Sequence, residues 1–248
     1  MTSSMGNNMT FKMASTGKNA FEDFDKRGGM TPGQVADVFT NAASTYDTVW
    51  TMRNYKDHIY VAEGVADYFQ ENQRASVRIL DVAAGTGMLA EQLWKMGFRQ
   101  LDGLDPSAGM MAEAMKKRVY SNYYLEFMDG HTITELDTDT YDCLVVAAGF
   151  NTGLIPCAAL SEMVRLVKPG GLMCFGVPDA RFTEVKEYIN RLEPLMGWME
   201  QDGAWQLLDR KHYDDFYDGA NPGVVFRYIV SASNVSGNQY MEKLCQNQ

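Results

Sequence analysis

Short unbroken apolar runs alternate along this chain with longer segments whose apolar positions recur every three or four residues. "VRILDVA" (77–83), "YDCLVVAAG" (141–149) and "GLMCFGV" (171–177) are runs of the first kind. They suit strands buried on both faces of a sheet. "LDGLD" (101–105) and "YYLEFMD" (123–129) read as two further strands, ending at Asp105 and Asp129. Between them "MLAEQLWKMG", "SAGMMAEAMKKR", "CAALSEMVRLV" and "FTEVKEYINRLEPLM" carry helical periodicity. Ser107 caps the second of these, and lysines sit in its last turn. "AWQLLDRKHY" and "GVVFRYIVSA" predict two closing strands joined by a long polar loop containing Gly219, Asn221, Pro222 and Gly223. Ahead of the first strand lie two helices. Thr31 and Pro32 open one. The other, near 55–73, places Tyr60, Val61, Val65, Ala66 and Phe69 on one stripe.

Alternating strands and helices predict an α/β fold, a Rossmann-like, doubly wound and mostly parallel sheet. The two leading helices cover a sheet edge or form a lid, over 31–74. Residues 1–30 read as a flexible tail and 233–248 as a polar, frayed one; the domain occupies 31–232. Ligands in such sheets bind beyond the carboxyl ends of the strands. The loop after strand one, Asp105, Asp129 and the stretch Ala147–Phe150 therefore converge on one crevice.

The loop is Gly85-Thr86-Gly87, and Gly85 to Ala90 fits G-x-G-x-x-A. Glycines there admit a ligand close to the backbone, and helix-opening N–H groups bind anions. A tight strand–helix turn is the other reading. Asp105 follows Gly85 by twenty residues, where an acid accepts ribose hydroxyls; a helix cap is its alternative. Asp81 sits inside strand one, where an ionised acid is costly without a partner. It suggests a positively charged ligand nearby and disfavours a dinucleotide. Asp129-Gly130 is placed to meet an exocyclic amine. Met110 and Phe127 either pack on a base or belong to the core. Tyr46-Asp47 and Arg53 either contact ligand from the lid or sit on a solvated face. Among the three histidines, His131 is a weak candidate base and His58 lies on a leading helix; no catalytic base is assigned.

Composition narrows the partners. Hydrophobic residues make up 46% of the 248, enough for a full core, and the formal net charge is -10. That charge disfavours nucleic acid and anionic membranes, and favours a small neutral or cationic substrate. No apolar run is long enough to span a membrane. The start has no apolar signal-peptide core, so a cytoplasmic location is expected. The four cysteines form no C-x-x-C and no zinc spacing, so no metal is expected; Cys143 and Cys174 read as buried free thiols.

"ILDVAAGTGMLAEQL", "LDGLDPSAGMMAEAMKK", "FMDGH", "YDCLVVAAG" and "MVRLVKPGGLMCFGV" stand in order over about 75–180. Together they resemble the class I S-adenosylmethionine-dependent methyltransferases. The resemblance implies a seven-stranded sheet with an antiparallel last strand. It implies S-adenosylmethionine as cofactor, its methionine end near Asp81, Ala83, Gly85, Thr86 and Gly87, and its ribose on Asp105. Pro106 and Met110 would flank the adenine, Asp129 and Gly130 would meet its amine, and Ala147 would pass near the sulfonium, with Tyr46 closing over the site. "GFNTG" follows strand four in place of the N-P-P-Y signature of amino-methylating DNA enzymes, which argues against a nucleobase amine as substrate, in agreement with the acidic charge; the acceptor expected is a small molecule. Two alternatives stand beside this. One is an NAD-dependent oxidoreductase, which lacks a Y-x-x-x-K pair here. The other is a cofactor-binding partner without catalysis.

Overall fold

Thr31 caps the first helix. Its side chain accepts from the Gln34 amide, and Gln34 Oε1 accepts from the Thr31 amide at 2.8 Å. This reciprocal pair satisfies two orphan donors at the mouth of α1 (Pro32–Met52). The structure, a computed structural model, describes residues 29–133, 135–232 and 237–246. The expected tail ahead of residue 29 lies outside them.

After α2 (Asp57–Tyr68), the chain alternates: β1 (Arg78–Val82), α3 (Met88–Lys95), β2 (Gln100–Leu104), α4 (Ala108–Lys117), β3 (Asn122–Tyr124), β4 (Tyr141–Val146), α5 (Ala159–Leu166), β5 (Val167–Pro178). Then follow α6 (Arg181–Glu184), α7 (Leu192–Gln201), β6 (Trp205–Tyr217), β7 (Asn221–Val230) and α8 (Gly237–Gln246). The seven strands form one sheet in the order β3-β2-β1-β4-β5-β7-β6. β1 to β5 run parallel; β7 is antiparallel to both β5 and β6. The seven strands and the antiparallel last strand match expectation.

Strand order reverses between β1 and β4, so the crevice opens where these two strands end. Apolar packing covers both sheet faces. Leu80, Leu144, Met173 and Phe226 face one layer with α5 and α7; Ile79, Val145, Cys174 and Val225 face the other with α2 and α3. Alternate strand residues point to opposite faces, which is why continuous apolar runs are needed. Cys143 and Cys174 are buried free thiols, and burial raises both above the ordinary thiol range.

Several expectations are corrected. Strand three spans only Asn122–Tyr124, because its partner β2 ends at Leu104 and Asp105 N makes the last link, to Tyr124 O at 3.1 Å. Asp129 therefore arrives on an irregular segment. The helix expected over 182–196 is two helices. Pro194 has no N–H to give a helix interior, so a new helix opens at Leu192 and places it in the first turn, where that N–H is not needed. The long loop before the last strand is a short turn, because β6 continues to Tyr217 through a register shift. The polar C-terminus is not simply frayed. Tyr240 and Leu244, four residues apart, are buried on one face of α8 against α5 and α7.

α2 packs Val61, Ala62 and Val65 into the sheet, so it is a core helix and not a lid. α1 is the covering element. Gly109 lets it approach α4: a Cβ there would lie 2.5 Å from the Thr40 carbonyl oxygen. Thr40 Oγ1 and Ser107 Oγ share a hydrogen bond of 2.9 Å at that contact.

Candidate active site

Beyond the ends of β1, β2 and β4 lies a cavity of about 520 Å³, roofed by α1. Its floor begins at the glycine loop. Ala83 and Gly85 both take left-handed backbone, φ 56° and 55°. A Cβ on Gly85 would meet nothing nearer than the Ala83 carbonyl at 4.0 Å, so the space above it is open. Ala148, at the end of β4, is also left-handed at φ 58° and shares the wall with Ala147. Two non-glycine residues in this sparsely populated region, at neighbouring strand ends, are strain of the kind found at ligand sites.

Asp105 joins β2 to the loop. Its Oδ2 accepts from Gly85 N at 2.9 Å and its Oδ1 from Ser107 N at 2.8 Å. Burial pushes its pKa up to about 6, against the pull of those two amides. A carboxylate offers about four acceptor positions, so two remain for ligand hydroxyls. The helix-cap and ligand readings of Asp105 are thus compatible in one side chain. Pro106, Met110, Phe127, Met128 and Asp129 continue the wall. Asp129 accepts from the His131 amide at 3.0 Å and from its ring at 2.9 Å. Burial would raise the Asp129 pKa, but those contacts hold it below the ordinary value.

Of the residues singled out from the sequence, Tyr46, Arg53, Ala83, Gly85, Asp105, Pro106, Met110, Phe127, Asp129 and Ala147 line this cavity. Asp81, Thr86, Gly87, Gly130 and His131 do not. Asp81 lies behind the loop, where it accepts from Tyr120 Oη at 2.6 Å; burial first, then the Asp105 charge, lift it to about 7 against that hydrogen bond. Gly87 packs on the Tyr120 ring, 3.2 Å from where its Cβ would be. Thr86 donates to Asp47 of α1, and Asp47 also pairs with Lys117 at 2.6 Å. Gly130 is pressed against Ala158, where a Cβ would sit 2.8 Å from its carbonyl oxygen. His131 faces solvent with its side chain 90% exposed, so it is corrected from candidate base to a surface partner of Asp129.

Residues the sequence reading passed over, together with Tyr46 and Arg53, form the far half. Phe39, Tyr46 and Trp50 share one face of α1, and Tyr55 continues the row; adjacent ring centroids lie 6.3, 5.9 and 5.5 Å apart. Their spacing of seven and four residues was a readable stripe. Arg53 is half-exposed and binds Asp218 through Nε at 3.0 Å. Asn151, Ile155, Pro178, Arg181 and Tyr217 close the opposite side. At its edge Asp57 is fully buried and holds the Ala148 amide at 2.7 Å. Its pKa is pushed up to about 7 by burial, with the Ala148 amide and Tyr55 opposing.

Residues 79–171 match a family described as a methyltransferase domain. The demethylmenaquinone methyltransferase of Clavibacter sepedonicus is 32% identical over 217 residues, which are 87% of this chain and 76% of that one. The chain belongs to the class I S-adenosylmethionine-dependent methyltransferases. Human methyltransferase-like protein 27 is 33% identical over 133 residues, 54% of this chain and about half, 53%, of that protein's length. A Leishmania major S-adenosylmethionine-dependent methyltransferase shares the fold, with TM-score 0.57 at 16% identity over 84% of this chain and 90% of that one. Family membership decides the ligand question left open by G-x-G-x-x-A: the methyltransferase cofactor is S-adenosylmethionine, not a dinucleotide. The methyltransferase site fits it, since the open space at Gly85 and the spare acceptor positions of Asp105 face one cavity.

Proposed function

We propose that this chain transfers a methyl group from S-adenosylmethionine to a small-molecule acceptor by in-line displacement inside the α1-roofed cavity. The observation that carries this reading is that one cavity joins two halves, Gly85–Asp105–Asp129 on one side and Tyr55–Asn151–Arg181 on the other. The cofactor supplies a methyl group already activated on a sulfonium. Asp105 accepts the ribose hydroxyls, Gly85 admits the methionine end, and Pro106, Met110 and Phe127 flank the adenine, whose amine Asp129 accepts. Ala147 and Ala148 hold the junction between the halves.

The protein's share of the work is alignment and exclusion of water. Trp50 and Tyr55, with Tyr46, place apolar ring surface over the junction. The identity of the Clavibacter relative as a demethylmenaquinone methyltransferase supports a small-molecule acceptor.

Calorimetric titration with S-adenosylmethionine and S-adenosylhomocysteine tests the cofactor half. Micromolar binding by the wild type and its loss in Asp105→Ala are the expected results. Incubation with labelled cofactor and a metabolite extract tests the transfer, and a labelled small product is expected. No binding at submillimolar cofactor sinks the proposal. Binding with no labelled product favours the non-catalytic partner.

A further inference from the structure

The two arginines of the cavity differ in how their charge is answered. Arg53 is held by Asp218 and lies 5.0 Å from the Trp50 ring centroid. Arg181, in the first turn after β5, has among the described residues only a long ion pair to Glu184 at 3.8 Å. Glu184 is 67% exposed at its side chain and Arg181 only 19%. The Arg181 Nε is buried and has no hydrogen-bond partner among the described residues. A guanidinium that lines the cavity and whose ion pair is this long keeps Nη donors for a bound acceptor.

The half of the cavity away from Asp105 is mostly apolar and aromatic, lined by Ile155, Pro156, Pro178, Trp50, Tyr55 and Tyr217, with Asn151, Arg53 and Glu184 as its polar members. An apolar slot with one under-paired planar cation matches a flat apolar molecule bearing one carboxylate, which arginine grips with two parallel hydrogen bonds. Glu184 stands on the cavity wall as the long ion-pair partner of Arg181, and the two remaining carboxylates there, Asp105 and Asp129, lie in the cofactor half.

We propose that the acceptor is a small aromatic carboxylic acid whose carboxylate is held by Arg181. This rests on the methyl-transfer reading above and adds the class of acceptor. The carboxylate is the recognition handle. It departs from the expectation, drawn from net charge, of a neutral or cationic substrate. A charge of -10 spread over the surface is screened within about 10 Å, whereas Arg181 acts at contact.

The test uses the full chain saturated with S-adenosylhomocysteine. Benzoate, 4-hydroxybenzoate and indole-3-acetate are titrated beside their primary amides. At least one acid is expected to bind tenfold or more tightly than its amide. In Arg181→Gln that preference falls to within twofold while S-adenosylhomocysteine affinity is unchanged; Arg181→Lys keeps part of it. Acids that bind no better than amides, or no binding by any of the six, overturn the proposal. A tenfold loss of S-adenosylhomocysteine affinity in a folded Arg181→Gln also overturns it, by assigning the arginine to the cofactor. Failure of S-adenosylhomocysteine to bind the wild type overturns the methyl-transfer reading itself, a distinct result.

Discussion

Asp105 at the end of β2 holds the Gly85 amide of the β1 loop at 2.9 Å, so the acid and the glycine twenty residues before it form one unit. Its second oxygen fixes the Ser107 amide at the start of α4. The same side chain therefore shapes the loop and faces the cavity.

Removing this carboxylate should be costly in two ways. Asp105→Ala strips two amide hydrogen bonds and the proposed ribose acceptor together. A loss of cofactor affinity of about 100-fold is expected, with a stability loss of roughly 1–3 kcal/mol. Asp105→Asn keeps one acceptor oxygen and should retain more of both. Calorimetry with S-adenosylhomocysteine and urea melts read the two effects; equal affinities for wild type and Asp105→Ala contradict the assignment.

Closure of the roof depends on Gly109. A methyl group there would press 2.5 Å from the Thr40 carbonyl, which is backbone and cannot swing away. Gly109→Ala should lift α1 from α4. Faster S-adenosylhomocysteine release and new proteolytic cleavage within Pro32–Met52 are expected, while the sheet stays folded. Unchanged release in stopped-flow measurements would show that α1 is not the roof.

Stability should depend on pH through Asp57. Burial lifts its folded pKa to about 7 from an ordinary 3.8, against the Ala148 amide and Tyr55. The folded state therefore holds this proton where the unfolded chain has lost it. Stability from this group is full below the unfolded value and disappears as pH rises through about 7. Asp57→Asn removes the titration, so its stability relative to wild type should rise between pH 5 and pH 8 by an amount on the order of 3 kcal/mol. His58 moves oppositely, since burial first, then Lys117, lower it to about 4, but it is common to both proteins and cancels. A constant difference across that range would place Asp57 ionised throughout.

His131 should be dispensable for the cofactor. It is 90% exposed at its side chain, and the Asp129 carboxylate keeps its backbone amide partner whatever side chain follows. His131→Ala is expected to leave S-adenosylhomocysteine affinity within about twofold, since only an exposed contact is lost. A tenfold loss by calorimetry would return the histidine to the site.

The legible parts of the site were those carried by local spacing. Gly85, Asp105 and Ala147 sit at strand ends, and strand ends are visible wherever an apolar run stops. Asp81 was readable as unusual, but its partner was not: Tyr120 lies thirty-nine residues away and meets it only once α4 has crossed the sheet. Arg181 and Asp57 were missed because each is an ordinary charged residue in its own neighbourhood. The helix over 182–196 was misjudged because apolar periodicity outweighed Pro194, although a missing N–H decides a helix interior. Tyr240 and Leu244 show the reverse, two apolar residues in a polar stretch that packing makes sufficient for a docked helix.

The alternation of buried runs and helical periods, by itself, determined a parallel doubly wound sheet, its crevice, and the ligand-binding loop at Gly85. Those follow from local rules, the pleat, the helical period and the right-handed crossover, which act over a few residues. Only the tertiary structure decided which charges meet. It put Asp81 behind the loop with Tyr120, turned His131 outward, tied Thr86 to Asp47, and left Arg181 under-paired on an apolar wall. Such pairings depend on distances between segments far apart in sequence, and on burial that turns an ordinary carboxyl or guanidinium into a costly one.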